Sequence, residues 1–523
     1  MTPAELVATN SATLEPLEAA ANTAWWEANT NATDESQQRR AAADLALSNA
    51  LADVDAFAAV SAMRRELHDD ASSDPFVVRQ LDVLAQAFLP NQVDADLRRE
   101  IVELQSGIES RFARHRGQID GDDIDDNQIL DVLRTSTDSA HRRAAWEASK
   151  SVGSAVAADV RALAGLRNRA ARLLGYRDHF ALALETTDFD EARLFATLEE
   201  VDELTAGPFR ELKAQLDERL SADYGVAADA LRPWHYEDPF FQDPPGAVGV
   251  DLDPYLCEND IGELTVRTFD SMGLDVRGVL ARSDLVPRPG KVQHAFCIDV
   301  DRAGDVRVLS NNTPGERWTE TMLHEFGHAI YFEGVGPELP WLLRTMHLCL
   351  TEGVAMRCGR LVRRPEWLAR IAGLPPTVVD DLAPRLHAAG RAYLLIFARW
   401  VLVMTHFERG LYADPGADHD TRWWDLVERF QLVHRPEERH SPDWAAKIHV
   451  AAAPVYYHNY LFGEMFASQL TATFGTLIDD AAAGPSLGSA LFAPAATMRW
   501  DRLVQHATGS ALTPAAFARD IAS

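Results

Sequence analysis

The sequence predicts a mainly α protein carrying one short β-hairpin, and three observations predict it. Residues 1–230 are dominated by alanine, leucine, arginine and glutamate, with apolar residues recurring at three- and four-residue intervals. Two β-type runs, VQHAFCIDV and DVRVLS, follow around residue 300, separated by DRAG, and read as a hairpin. Past residue 313 the helical pattern returns and holds to the end, interrupted by proline-marked turns at GLPP and RPEERHSP.

The 523 residues exceed one small core and suit either two or three ordinary domains or one large domain around a cavity. Apolar residues make up 47% and charged residues 25%, the range of a soluble globular protein. A net charge of −29 excludes a broad nucleic-acid surface, because phosphate would be repelled. Cys257, Cys297, Cys349 and Cys358 show no CxxC spacing and are expected to be reduced core thiols of a cytoplasmic protein. MTPAELVATNSATLEPLEAA has neither a basic start nor an apolar run, so no signal peptide is expected.

From the N-terminus onward, LADVDAFAAVSAMRREL and ELTAGPFRELKAQLDERL typify the helical segments. GDDIDD, residues 121–126, lacks the glycine-punctuated loop and closing glutamate of an EF-hand and reads as a solvated turn. Pro233 to Pro254, rich in proline, aspartate and aromatics, reads as an ordered loop. After the hairpin, Thr313-Pro314-Gly315-Glu316 has the form of a capping box with proline at the first helical position, so a helix should start there and run to about Phe332. The apolar run Tyr393 to Met404 is short and includes Arg399, as a buried helix does, and no membrane span is expected.

The helix after Thr313 contains HEFGH. His324 and His328 fall one turn apart on one face, where both ring nitrogens can meet one metal ion. Glu325 lies about 100° round from His324, within reach of a water at that ion without being a ligand. Gly327 is expected to leave room beside the pair. A hydrolytic zinc site needs a third protein ligand and an open position. LCLTEGVAMRCGRL supplies Glu352, a carboxylate on an apolar helical run that is costly to bury unless something pairs with it. Two neutral imidazoles and one carboxylate leave a zinc ion net positive, which acidifies its water. Glu325 then serves as general base and passes the proton to the leaving amine. The bland alternative is a structural helix with two satisfied histidines.

The segment DWAAKIHVAAAPVYYHNYLFGEMFASQL, residues 443–470, adds to this. With HEFGH, Glu352 at its spacing and ANTAWWEANTNATDE near the N-terminus, the chain resembles the peptidyl-dipeptidase A (angiotensin-converting enzyme) family. YYHNYLFGE is also similar to the related thimet oligopeptidase family. The resemblance runs from about residue 20 to 470. It implies one domain over 1–523: a helical ellipsoid of two lobes divided by a deep substrate channel, with helices of about 1–110 as a lid, one Zn²⁺ at 324–352 and a substrate segment at 447–460. It also implies roles. Tyr460 would stabilise the oxyanion, Tyr457 would face the substrate's carboxyl-terminal side, and Lys447 and His449 would hold the substrate there. His294 and Ala295 would pair their backbone with the bound peptide, a role that an open hairpin edge also suits.

Several positions depart from that family. Asn459 and Val427 stand where it has chloride-binding arginines, so no chloride requirement is expected. Tyr236 stands where it offers a glutamine to the terminal carboxylate, and Met356 where an aspartate orients a zinc histidine. The interval from His449 to Tyr460 is one residue longer. The expected activity is therefore hydrolysis of short unfolded peptides, by release of carboxyl-terminal dipeptides or by internal oligopeptidase cuts. The alternative is a peptide-binding protein of the same fold without catalysis.

Overall fold

A computed structural model describes residues 1–70 and 72–522. The first helices are α1 (Pro3–Thr30), α2 (Asp34–Leu51), α3 (Val54–Asp69), α4 (Pro75–Phe88) and α5 (Ala95–Arg114). Strands β1 (Gly117–Ile119) and β2 (Asp122–Ile124) come next, then α6 (Asp126–Thr135), the long α7 (Ser139–Leu173), α8 (His179–Glu185) and α9 (Glu191–Tyr224). Part of the acidity has a local cause. Asp53, Asp74, Asp94, Asp125, Asp138, Asp178 and Asp190 each accept a backbone N–H in the first turn of the helix that follows. GDDIDD is more than a turn: Asp122–Ile124 pairs antiparallel with Gly117–Ile119 around Gly121, and Asp125 caps α6.

The proline-rich stretch after α9 is ordered by short 3-10 turns at Pro233–His235 and Gly246–Val248. Helices α10 (Asp253–Leu256), α11 (Ile261–Ser271) and α12 (Arg277–Arg282) lead to the expected hairpin, β3 (Phe296–Asp299) and β4 (Val306–Leu309). Its register pairs Phe296 with Leu309 and Asp299 with Val306. On its far side Leu309 bridges Asp284, so β4 is flanked on both sides. Among the described residues β3 has no second strand neighbour.

Helix α13 (Glu316–Glu333) carries HEFGH, and α14 (Leu348–Gly359) carries Glu352. The cap differs from the expected one. Gly315, not Thr313, precedes the first turn, and the Glu316 N–H donates to Asp253 Oδ1 at 2.7 Å. A carboxylate distant in sequence does the work that a local threonine was expected to do. Then follow α15 (Pro365–Arg370), α16 (Pro376–Ala413), α17 (His419–Gln431), α18 (His449–Ala452) and α19 (His458–Phe474). Helix α16 is long and apolar enough to cross a membrane, but 72% of its most apolar window is buried in the protein. Its Arg399 is answered by Asp202 and Thr205 of α9.

One large core runs from Ile108 to Ile521. A separate, smaller one joins Leu6, Leu14, Val60, Leu81, Leu84 and Phe88 to Trp341 and Leu342. The N-terminal helices meet the hairpin through Trp25 against Phe296, with ring centroids 4.2 Å apart, and Asn22 Nδ2 donating to the Val300 carbonyl at 3.1 Å. Cys349 and Cys358 are buried and Cys297 half-buried, but Cys257 is exposed, so that thiol is not in the core. All four are free.

Candidate metal centre and substrate cleft

Helices α13, α14 and α19 stack almost backbone to backbone. A Cβ on Gly327 would meet Ala355 Cα at 2.6 Å, and one on Gly353 would meet Phe466 Cδ1 at 2.7 Å. Gly327 thus admits the neighbouring helix; it does not make room beside the histidines, as its position in the motif suggested. This contact sets Glu352 opposite the imidazoles.

His324, His328 and Glu352 each offer a donor atom, and the three donors lie within 4.8 Å of one another. His324 Nε2 lies 3.8 Å from Glu352 Oε2. A tetrahedral zinc with bonds of about 2.1 Å sets its ligands about 3.4 Å apart, so the trio needs to contract only slightly. Burial holds His324 down to about 4 and His328 well below its usual range, so both are neutral donors. Burial raises Glu352 to about 7, opposed by a hydrogen bond from Tyr456. Burial, and then the charge of Glu352, push Glu325 up to about 8. Two desolvated carboxylates beside two neutral imidazoles form a site whose cost a divalent cation removes. The donor set fits zinc.

Two further contacts fix the donors, and the sequence reading missed both. The Thr351 hydroxyl lies 2.6 Å from His328 Nδ1, which leaves Nε2 for the metal side. Tyr456 Oη donates to Glu352 Oε1 at 2.9 Å, so Oε2 is the oxygen turned toward His324. Met356 makes no such bond; it borders the cleft near His324. That Thr351 precedes a ligand was visible. That its side chain points at the other helix depends on packing.

A cavity of about 340 Å³ opens from His324, with Gln242, Lys447, His449, Tyr457 and Tyr460 around it. Tyr457 and Tyr460 pack edge-on at 5.4 Å, and Tyr456 lies 5.1 Å from Tyr460. Burial, and then Glu352, keep the Tyr460 phenol protonated well above its usual range. Lys447 Nζ donates to Gln242 Oε1 at 2.8 Å and lies over Trp400 and Phe240. Burial lowers this ammonium to about 8, while Asp238 and Asp243 support its charge. His449 is pushed down to about 4, first by burial, then by Lys447 and His294. Ala295 immediately precedes β3, whose other side pairs with no strand among the described residues.

Three positions lie elsewhere. Tyr236 is buried, bonded to Lys213 at 2.8 Å and Asp217 at 2.9 Å, and does not reach the cleft. The glutamine at the cleft is Gln242, six residues on in the same loop, where no periodicity fixes the register. Asn459 borders a different cavity beside Asp188, and Val427 a small one beside Lys150.

Among curated proteins no significant match is found. A family model does match, over the helices from α1 to the Pro233 turn, and the match stops before the hairpin and every metal donor. It supports a peptidase; the donors rest on their own geometry. Over residues 3–233 the chain is a match to the angiotensin-converting enzyme family of peptidases.

Proposed function

We propose that this chain is a zinc metallopeptidase that hydrolyses short, extended peptides and releases carboxyl-terminal dipeptides. The observation that carries the reading is the convergence of His324, His328 and Glu352 beside an uncommitted Glu325. One Zn²⁺ held there would polarise the scissile carbonyl and acidify water. Glu325 takes the proton of the attacking water and delivers it to the leaving amine. Tyr460 donates a hydrogen bond to the oxyanion as it develops. Tyr456 and Thr351 act through the donors they hold.

Lys447 and Gln242 form a cation–amide pair at one side of the cleft, suited to a peptide's terminal carboxylate, and this favours dipeptide release. His449 and Tyr457 complete that wall. His294, Ala295 and the side of β3 that pairs with no strand offer main-chain groups to an extended peptide. The N-terminal helices act as a lid, and the free thiols suit a cytoplasmic setting. No chloride is required, since Asn459 and Val427 carry no charge to bind it.

Quenched-fluorescent peptides, assayed with and without a chelator and followed by mass spectrometry of products, test the proposal. Chelator-sensitive loss of carboxyl-terminal pairs supports it. Scattered internal cuts replace the dipeptidase with an oligopeptidase, and an absence of turnover with stoichiometric zinc leaves a peptide-binding protein.

A further inference from the structure

Beside the cleft lies a second cavity of about 440 Å³. The two share Glu320, Arg360 and Tyr393 as a common wall, and Gln242 of the cleft is followed directly by Asp243 of the annex. Five arginines border the annex against three carboxylates, Asp243, Glu320 and Asp520. This is an unusual excess in a chain of net charge −29. Two of the five are committed: Arg360 to Glu464, and Arg363 to Glu316 at 2.8 Å. Arg363 also acts on Glu320, so the acid at the shared wall has a cation beside it. Arg134 faces Asp243.

Arg364 and Arg391 have no ion pair among the described residues, and the Nε of Arg391 is buried without a hydrogen-bond partner. A guanidinium held in this way lacks the planar, two-pronged acceptor it is shaped for. Gly390, next to Arg391 on α16, also borders the annex, and an added Cβ there would meet nothing within 4 Å. The annex is thus bordered by two guanidinium groups without an ion pair, and Tyr393, whose ring stacks on Phe397 at 5.6 Å, is one of the three residues it shares with the cleft.

We propose that this annex is a specificity pocket for a carboxylate-bearing side chain, aspartate or glutamate, of the bound peptide, read by Arg391 with Arg364. The inference rests on the peptide-cleaving reading of the adjoining cleft. The cavity's size suits a side chain rather than a lone ion, and the residues it shares with the cleft place it beside whatever lies extended past His324. The terminal carboxylate already has Lys447 and Gln242; the annex takes the second acid.

The test uses the zinc-loaded full chain and peptides differing by one Glu-to-Gln exchange at each position, with free or amidated carboxyl ends. A charge-assisted, two-pronged contact predicts that at one position the glutamate peptide has a kcat/KM about tenfold above its glutamine twin, carried by KM. Arg391→Gln should bring that ratio near one, and Gly390→Leu, which fills the annex without touching a charge, should do the same. A ratio near one in the unmodified protein, or one that survives both variants, overturns the proposal. So does a preference abolished by amidation alone, which assigns recognition to Lys447. If no peptide is cut, the peptidase reading fails separately. Calorimetric titration of the same peptide pairs then decides the annex: glutamate-dependent affinity lost in Arg391→Gln upholds it, and equal affinities reject it.

Discussion

Along its 18 residues α2 buries one side chain, that of Ser36, whereas α14 buries eleven of its twelve residues. Both are helices, and the family match covers the first and not the second. The N-terminal helices hold together through a small core of their own and lean on the body through Trp341 and Leu342. The stack of α13, α14 and α19 is locked by glycine contacts and carries every proposed metal donor. Few buried apolar contacts mean low local stability, and dense ones mean the opposite. The proposed lid and the proposed metal centre call for these two kinds of packing.

The contrast can be broken or sharpened by substitution. The largest effect belongs to Glu325→Gln. Turnover should fall by several orders of magnitude while zinc content, read by elemental analysis, stays at one per chain. Peptide turnover at the unmodified rate would take Glu325 out of the chemistry. Next is Thr351→Val, which keeps the shape but removes the partner of His328 Nδ1. Zinc affinity, measured by competition with a chelator, should weaken by about 10–100-fold. Gly353→Ala forces a methyl against Phe466 and the Gly463 carbonyl, and should cost about 1–3 kcal/mol in denaturant unfolding. The smallest effect is expected in the cover. Leu45 of α2 is 60% exposed, and Leu45→Ser should shift stability by no more than about 0.5 kcal/mol. A large loss there would show that the cover is packed as firmly as the centre.

The same contrast governs what the sequence made legible. HEFGH and Glu352 were readable because a helical repeat places His324 and His328 on one face and an isolated acid on an apolar helix asks for a partner. The hairpin was readable from two β-type runs and a turn. Thr351 and Tyr456 were not, because their contacts depend on how α14 and α19 rotate against α13. The cap of α13 was misread for the same reason: Asp253, not Thr313, meets the first turn. In the loop after α9 no repeat distinguishes Tyr236 from Gln242, and only the folded chain shows which one faces Lys447.

The order of the stacked helices also sets a schedule for synthesis. Every proposed metal donor has been synthesised once Glu352 is added, yet the helix that seats against Gly353 begins only at His458. Until then the nascent chain has its donors but not the scaffold that draws them together, nor the Tyr460 phenol. On the proposed reading, a hydrolytic centre assembled this late stays silent while the polypeptide around it is still extended and open to attack.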